Sequence, residues 1–247
     1  MKRLMDILAS FFGLLLLSPV LLIVMFLIWR QDRHSPFYIA PRVGKNEKQF
    51  NMVKLRSMVM NADKTGVDST SGNDPRITLV GHFVRKFKLD EFTQLWNVLK
   101  GDMSLVGPRP NVKRETDLYT DVEKKILTLK PGITDFSSIV FSDENEILKD
   151  SSDPDIDYNQ LIRPWKSRLC LVYAEHQNLL LDGALICLTI VAIFSRSNAL
   201  FGVNKLLILI NAPQDVIHVA RREEKLIPYP PLGSDKIVTN REAKECV

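Results

Sequence analysis

From Ile7 to Trp29 the chain carries no charged residue, a run of 23 positions. About 20 apolar residues suffice for a helix to cross the hydrocarbon core of a bilayer, so this segment is expected to enter lipid. It is too long for a cleaved leader, and no small-x-small cleavage pattern follows it. Lys2 and Arg3 precede the run, and Arg30, Arg33, Arg42, Lys45 and Lys48 follow it. Both flanks therefore favour the cytoplasmic side. Ser18-Pro19 stands mid-run, where proline removes a backbone donor and kinks a helix, and where a serine hydroxyl can satisfy the freed carbonyl. These features fit two arrangements equally well, a kinked spanning helix or one that enters and returns by the same face.

A second stretch, Arg85 to Pro110, carries the chemistry. Phe92, Leu95, Trp96 and Leu99 fall at i, i+3, i+4 and i+7, an apolar helix face, and Gly101 can stop that helix in the left-handed conformation. Asp90 and Glu91 then stand at the helix start, with Arg85, Lys86 and Lys88 before them and Arg109 held between two prolines after them. A residue before proline has few backbone options, so Arg109 would present its guanidinium in a fixed direction suited to phosphate. Adjacent carboxylates ringed by cations suggest phosphoryl chemistry with a metal. On spacing alone an acidic residue there is more simply a cap.

The remaining chain supplies context. A net charge of +4 on 247 residues is too small to argue for nucleic acid, and no nucleic-acid-binding signature is present. Cys170, Cys187 and Cys246 are scattered, which reads as a reducing compartment without a disulfide framework. Residues 35–50 read as loop and a small β-hairpin. Phe50 to Met60 starts extended, with Lys54 and Arg56 on one strand face. Ala62 to Pro75 reads as a mobile loop, and Arg76 to Lys88 as a helix with Ile77, Val80, Phe83, Val84 and Phe87 mostly on one side. Asn111 to Thr128 reads as a polar helix, and Pro131-Gly132 as a type II turn. Asp143 to Asp157 is acidic and reads as largely solvated. Tyr158 to Tyr173 is expected to be helical. Leu179 to Phe194 is apolar apart from Asp182 but too short to span, so an interfacial amphipathic helix is expected. Residues 196–247 read as a poorly packed or partner-binding tail.

The run Leu-Asp-Glu-Phe-Thr-Gln-Leu-Trp-Asn-Val-Leu-Lys-Gly-Asp-Met-Ser-Leu-Val-Gly-Pro-Arg-Pro, residues 89–110, resembles the signature of the bacterial sugar transferases. These are monotopic polyprenyl-phosphate phosphoglycosyl transferases that initiate surface glycans such as exopolysaccharide, O-antigen and lipopolysaccharide. Lys54-Leu55-Arg56-Ser57-Met58, Lys130-Pro131-Gly132-Ile133-Thr134 and the Ser18-Pro19 break follow the family's order. Two positions depart from its pattern: Ala40 where a Gln is usual, and Asp135 where Gly is common.

The resemblance implies a mainly α fold with a small β element (α+β). Residues 1–34 would form a re-entrant membrane helix-break-helix, 35–195 a compact cytosolic catalytic domain with interfacial amphipathic helices, and 196–247 an extension of unknown role. It implies transfer of a phosphosugar from a UDP-sugar to polyprenyl (undecaprenyl) phosphate at the bacterial inner membrane, with the catalytic domain facing the cytoplasm. Asp90 would be the covalent nucleophile and Glu91 the ligand of Mg²⁺. Lys54, Arg56, Arg85 and Arg109 would bind substrate. Membrane lipid and other glycan-assembly enzymes would be partners, and nucleic acid would not. A non-catalytic membrane scaffold, or a nucleotide-sugar hydrolase or phosphatase using the same Asp, are the competing readings.

Overall fold

The computed structural model describes residues 1–62 and 74–240. The loop expected at 62–75 therefore lies almost wholly outside the described residues. The chain is mainly helical with two small sheets, as expected. It divides into two compact units, residues 1–42 with 49–105, and 43–48 with 106–247.

The first unit is built on α1 (Lys2–Asp32), a single helix of 31 residues. By length and composition it is the one helix among the described residues able to cross a membrane. The helix does not end at Ser18-Pro19. Pro19 leaves only the Leu15 carbonyl without its helical donor, and the Ser18 hydroxyl donates to that oxygen at 2.7 Å. One face of α1 packs inward, with Leu21, Val24 and Ile28 buried against Leu55, Val84 and Leu89. The opposite face, including Phe11, Phe12, Leu15, Leu16, Leu22 and Ile23, is exposed.

Both ends of α1 are tied into this unit. Near the start, Arg3 donates to the carbonyls of Val98 and Leu99, and buried Asp6 accepts from Ser104 Oγ at 2.9 Å and Leu105 N at 3.0 Å. At the far end, Asp32 receives two bonds from the Arg56 guanidinium.

Strands β1 (Phe37–Val43) and β2 (Gln49–Leu55) form the expected hairpin, and Ala40 is completely buried in it. Helix α2 (Leu79–Lys86) starts where Thr78 accepts a bond from Gly81 N. Its apolar residues split between two sides: Val84 is fully buried, whereas Phe83 and Phe87 are exposed. The expected helix after Asp90 is two short ones, α3 (Leu89–Phe92) and α4 (Leu95–Lys100). Gly101 closes α4 in the left-handed region with φ 102°. Trp96, expected on the buried face, is exposed, and polar Asn97 is buried in its stead.

In the second unit the Val-Gly-Pro-Arg-Pro and Lys-Pro-Gly-Ile-Thr segments interlock. Gly107 N donates to Thr134 O and Gly132 N to Pro108 O, each at 2.9 Å. A Cβ on Gly132 would lie 2.1 Å from Gly107 N. Gly132 is thus required by close backbone approach. It is not among the positive-φ glycines, which removes the type II turn. The polar helix expected over 111–128 is interrupted into α5 (Lys113–Thr116) and a 3-10 helix (Glu123–Thr128). The interruption is a capping box: Glu123 N donates to Thr120 Oγ1, and Thr120 N donates back to Glu123 Oε2. Glu123 is fully buried, pairs with Arg163 and accepts from Ser167 Oγ.

Asp135 caps α6 (Phe136–Val140), accepting from Ser138 N at 2.7 Å, from the hydroxyls of Ser137 and Ser138 and from the Cys170 thiol. Burial pushes the Cys170 thiol well above its ordinary value, and Asp135 adds to this. The acidic stretch yields α7 (Glu144–Ile147) and α8 (Pro154–Asp157), and its Asp143 and Glu144 pair with Arg196, Arg222 and Lys166. A π-helical turn leads into α9 (Arg163–His176). Helix α10 (Leu179–Phe194) has the expected bounds, and its Asp182 is buried, accepting from Tyr173 OH at 2.6 Å.

The C-terminal part is packed, contrary to expectation. After α11 (Arg196–Leu209), helix α12 (Gln214–Arg221) buries Val216, Ile217 and Ala220. Tyr229 then stacks on Trp165 at 4.4 Å beneath the Arg168 guanidinium. Apolar and aromatic residues at 216–229 supplied the core contacts that the polar, proline-rich composition concealed.

Candidate active site

Asp90 sits in the first turn of α3 and is not its cap. The cap position is Lys88, in the left-handed region at φ 51°, and no side chain caps the helix. The carboxylate is thus not consumed by the structural duty most common for an acid at a helix start. Thr93 and Asn97, both buried, fix what stands opposite. The Thr93 hydroxyl donates to the carbonyls of Asp90 and Val53, at 2.9 and 3.1 Å. Asn97 acts as a surrogate strand partner: its Oδ1 accepts from Val53 N at 2.9 Å and its Nδ2 donates to Asn51 O at 2.7 Å. Strand β2 is thereby locked alongside α3 and α4, and Lys54 Nζ comes to 3.7 Å from Asp90 Oδ2.

Arg85, on the last turn of α2, donates from Nε to Ser57 Oγ at 3.0 Å. Burial lowers its pKa, and the charges of Asp90 and Asp74 act in the opposite sense, so its guanidinium senses the Asp90 carboxylate. Asp74 lies in a fork with Arg76, whose hydrogen bonds hold it below the usual carboxylate range against burial.

Arg56 parts from Lys54. Just after β2, it donates from Nε to Ser35 O at 2.9 Å and from Nη2 to Asp32 Oδ1 at 2.7 Å, with Nη1 on Asp32 Oδ2. It is buried and pins the end of α1 to β2. The strand ends at Leu55, so the two cations expected on one face have different partners. Arg109 belongs to the second unit. There it lines a shallow depression with Gly44, Asn111, Tyr119 and Pro131.

Glu91 follows Asp90 on α3 and is partly exposed. Among the described residues no three His, Cys, Asp or Glu side chains cluster as a metal cage. A hard divalent ion such as Mg²⁺ needs only one or two protein carboxylates beside substrate oxygens and water. The adjacent, accessible carboxylates of Asp90 and Glu91 fit that donor set.

Four residues of this site escaped the sequence reading. Thr93 and Asn97 were overlooked because buried polar side chains on an otherwise apolar helix match no periodicity. Ser57 lay in a short segment whose cations and order in the chain, not its hydroxyl, drew the reading. Gln94 is 1% exposed, and its Nε2 is a buried donor with no protein partner.

Comparison with known proteins places this geometry in context. A relative from Erwinia amylovora, a UDP-galactose-lipid carrier transferase, is 39% identical over 149 residues, covering 54% of this chain and 31% of that protein. The undecaprenyl-phosphate galactose phosphotransferase of Salmonella typhimurium is 42% identical with the same coverage. The exopolysaccharide production protein ExoY of Sinorhizobium fredii is 38% identical over 148 residues, 54% of this chain and 66% of that protein. The match thus spans about a third of the first two relatives. The family description "Bacterial sugar transferase" matches residues 1–196, which include α1, the Lys54–Asp90 pair and both interlocked glycine segments, and the chain belongs to that family.

Proposed function

We propose that this protein is a phosphoglycosyl transferase that moves a phosphosugar from a UDP-sugar to polyprenyl phosphate, the first membrane step of a surface glycan. The observation that carries this reading is an Asp90 carboxylate excused from capping and set 3.7 Å from Lys54 by a buried polar scaffold. The names of the relatives, with undecaprenyl phosphate, a lipid carrier and exopolysaccharide among them, support the acceptor class.

In the first step an Asp90 oxygen attacks the sugar-bearing phosphorus of the UDP-sugar. The bond from that phosphorus to the bridging oxygen breaks, UMP leaves with the electron pair, and the phosphosugar is esterified to the carboxylate. In the second, a phosphate oxygen of the polyprenyl phosphate attacks the same phosphorus. The acyl-phosphate bond breaks, Asp90 is restored, and polyprenyl-diphosphosugar departs. Lys54 and Arg85 position the diphosphate and offset its charge, where most catalysis in phosphoryl transfer resides. Glu91 would hold Mg²⁺, which when bound neutralises diphosphate charge. Arg56 is assigned to holding α1 on β2, its guanidinium being committed to Asp32 and Ser35.

The topology follows the same logic. Arg3 and Asp6 at one end of α1 and Asp32 at the other bond to one compact unit. A helix so held is best accommodated by entering and leaving the membrane on one face, the cytoplasmic side favoured by its flanking cations. The exposed faces of α1 and α10 would rest in lipid.

The test is incubation of the reconstituted protein with a panel of UDP-sugars, Mg²⁺ and undecaprenyl phosphate, following UMP and lipid-linked sugar. The reading requires both products from wild type and neither from Asp90→Asn. UMP release that never needs the acceptor would indicate a hydrolase, and surface glycan unaffected by Asp90→Asn in cells would indicate a scaffold.

A further inference from the structure

Among the described residues, helix α2 carries an apolar row that is left exposed. Its inner side, Val84 with Val80, packs on the cluster formed by Leu21, Val24 and Ile28 of α1. On the other side Leu79 is 89% exposed, Phe83 49% and Phe87 46%. These positions recur every four residues and make one slanting row about 12 Å long. The rings of Phe83 and Phe87 are in contact, with centroids 4.8 Å apart. Large exposed apolar surface of this kind marks a site of interaction.

The row has a direction. Beyond Phe87 comes Lys88, whose left-handed backbone turns the chain into α3, and Asp90 follows two residues later. Lys86 and Lys88 are exposed at this end, with Lys86 Nζ 5.6 Å from the Phe87 ring, and Lys54 stands beside Asp90. At the far end of the row Leu79 is exposed, and the inner side of α2 is packed on the lipid-seeking α1. A cationic end beside the nucleophile, leading into an exposed apolar row on a helix that packs on the membrane helix, is the complement of a molecule with a single phosphate head and a long hydrocarbon tail.

We propose that Leu79, Phe83 and Phe87 form the track on which the isoprenoid chain of the acceptor lies while its phosphate reaches Asp90. This rests on the polyprenyl-phosphate reading and adds to it the residues that select a long chain. Aromatic faces suit an isoprenoid, whose branched, unsaturated units offer apolar contact without hydrogen bonds. The row contributes to acceptor binding in the second step and has no part in the first.

That division makes the test specific. Exchange of labelled UMP into the UDP-sugar reports the first step and needs no acceptor. Turnover of undecaprenyl phosphate against a short-chain polyprenyl phosphate reports the track. In Phe83→Ser/Phe87→Ser, exchange is expected to stay within about twofold of wild type. kcat/KM for the long acceptor should fall about tenfold or more, while the short acceptor is spared and chain-length preference collapses. Phe83→Leu/Phe87→Leu should restore most of that loss, and Leu79→Gln, at a position too exposed to disturb folding, should show a smaller loss of the same kind. Retention of full chain-length preference by these variants, or loss of UMP exchange in them, would overturn the track. Loss of flotation with phospholipid vesicles would also overturn it, making the row a general membrane contact. Absence of exchange in the wild type with every donor would instead remove the parent reading, and the track with it.

Discussion

Lys54 Nζ stands 3.7 Å from Asp90 Oδ2, and neither residue sets that distance. It is set by Thr93 and Asn97, which bind the backbone of β2 at Asn51 and Val53, just before Lys54, and hold the strand beside α3. A charge pair longer than a hydrogen bond is suited to admit a phosphate oxygen between its members.

Lys54→Met should leave the fold intact and reduce kcat/KM for the UDP-sugar by about a hundredfold, the scale for losing one electrostatic contact at a developing charge. Lys54→Arg should recover part of this. Steady-state kinetics with the active donor, alongside circular dichroism, checks the prediction, and a loss confined to stability would contradict it.

Asn97→Ala leaves Val53 N and Asn51 O without these partners in a partly buried place, and should cost about 1 kcal/mol in urea unfolding. Activity should fall further than stability explains, because β2 is released from its register. Thr93→Val should act in the same sense but more weakly, since the hydroxyl serves carbonyls alone.

Gly132→Ala places a methyl group 2.1 Å from Gly107 N, where backbone atoms cannot yield. The expected result is a loss of about 3 kcal/mol or failure to accumulate folded protein. Gly183→Ala, with open space around its Cβ, is the control and should be nearly neutral.

Asp74 is held below its ordinary range chiefly by hydrogen bonds from Arg76, with burial opposing. A carboxylate with a lowered folded pKa stabilises fully above its unfolded value of about 4. That contribution is lost as pH falls through the lower folded value. Asp74→Asn should therefore be less stable than wild type at neutral pH, and the gap between their melting temperatures should close as the pH falls well below about 4. A constant gap across that window would contradict the assignment.

Much of the framework was legible in the chain because it depends on local chemistry. The serine beside Pro19 and the stop at Gly101 each act over a few residues, and each does in the structure what its chemistry dictates. What escaped depends on partners far away in sequence. Arg56 looked like a second substrate cation until Asp32 and Ser35 claimed it. Asp135, a departure from the family pattern, is a helix cap satisfied by hydroxyls and a thiol. Trp96 and Phe83 follow helical periodicity yet face outward, since periodicity says which residues share a side and not what covers that side. Lys54 stands 3.7 Å from Asp90, but the buried Thr93 and Asn97 that join their elements left no pattern to read.

The central claim is that Asp90 becomes covalently esterified. Acid quenching of wild-type protein with its UDP-sugar and no acceptor, followed by intact-mass and peptide analysis, measures this directly. The account predicts a mass increase equal to one phosphosugar, located on the peptide containing Asp90 and discharged on adding polyprenyl phosphate. UMP formation only when both substrates are present, with no adduct at any time, would contradict it.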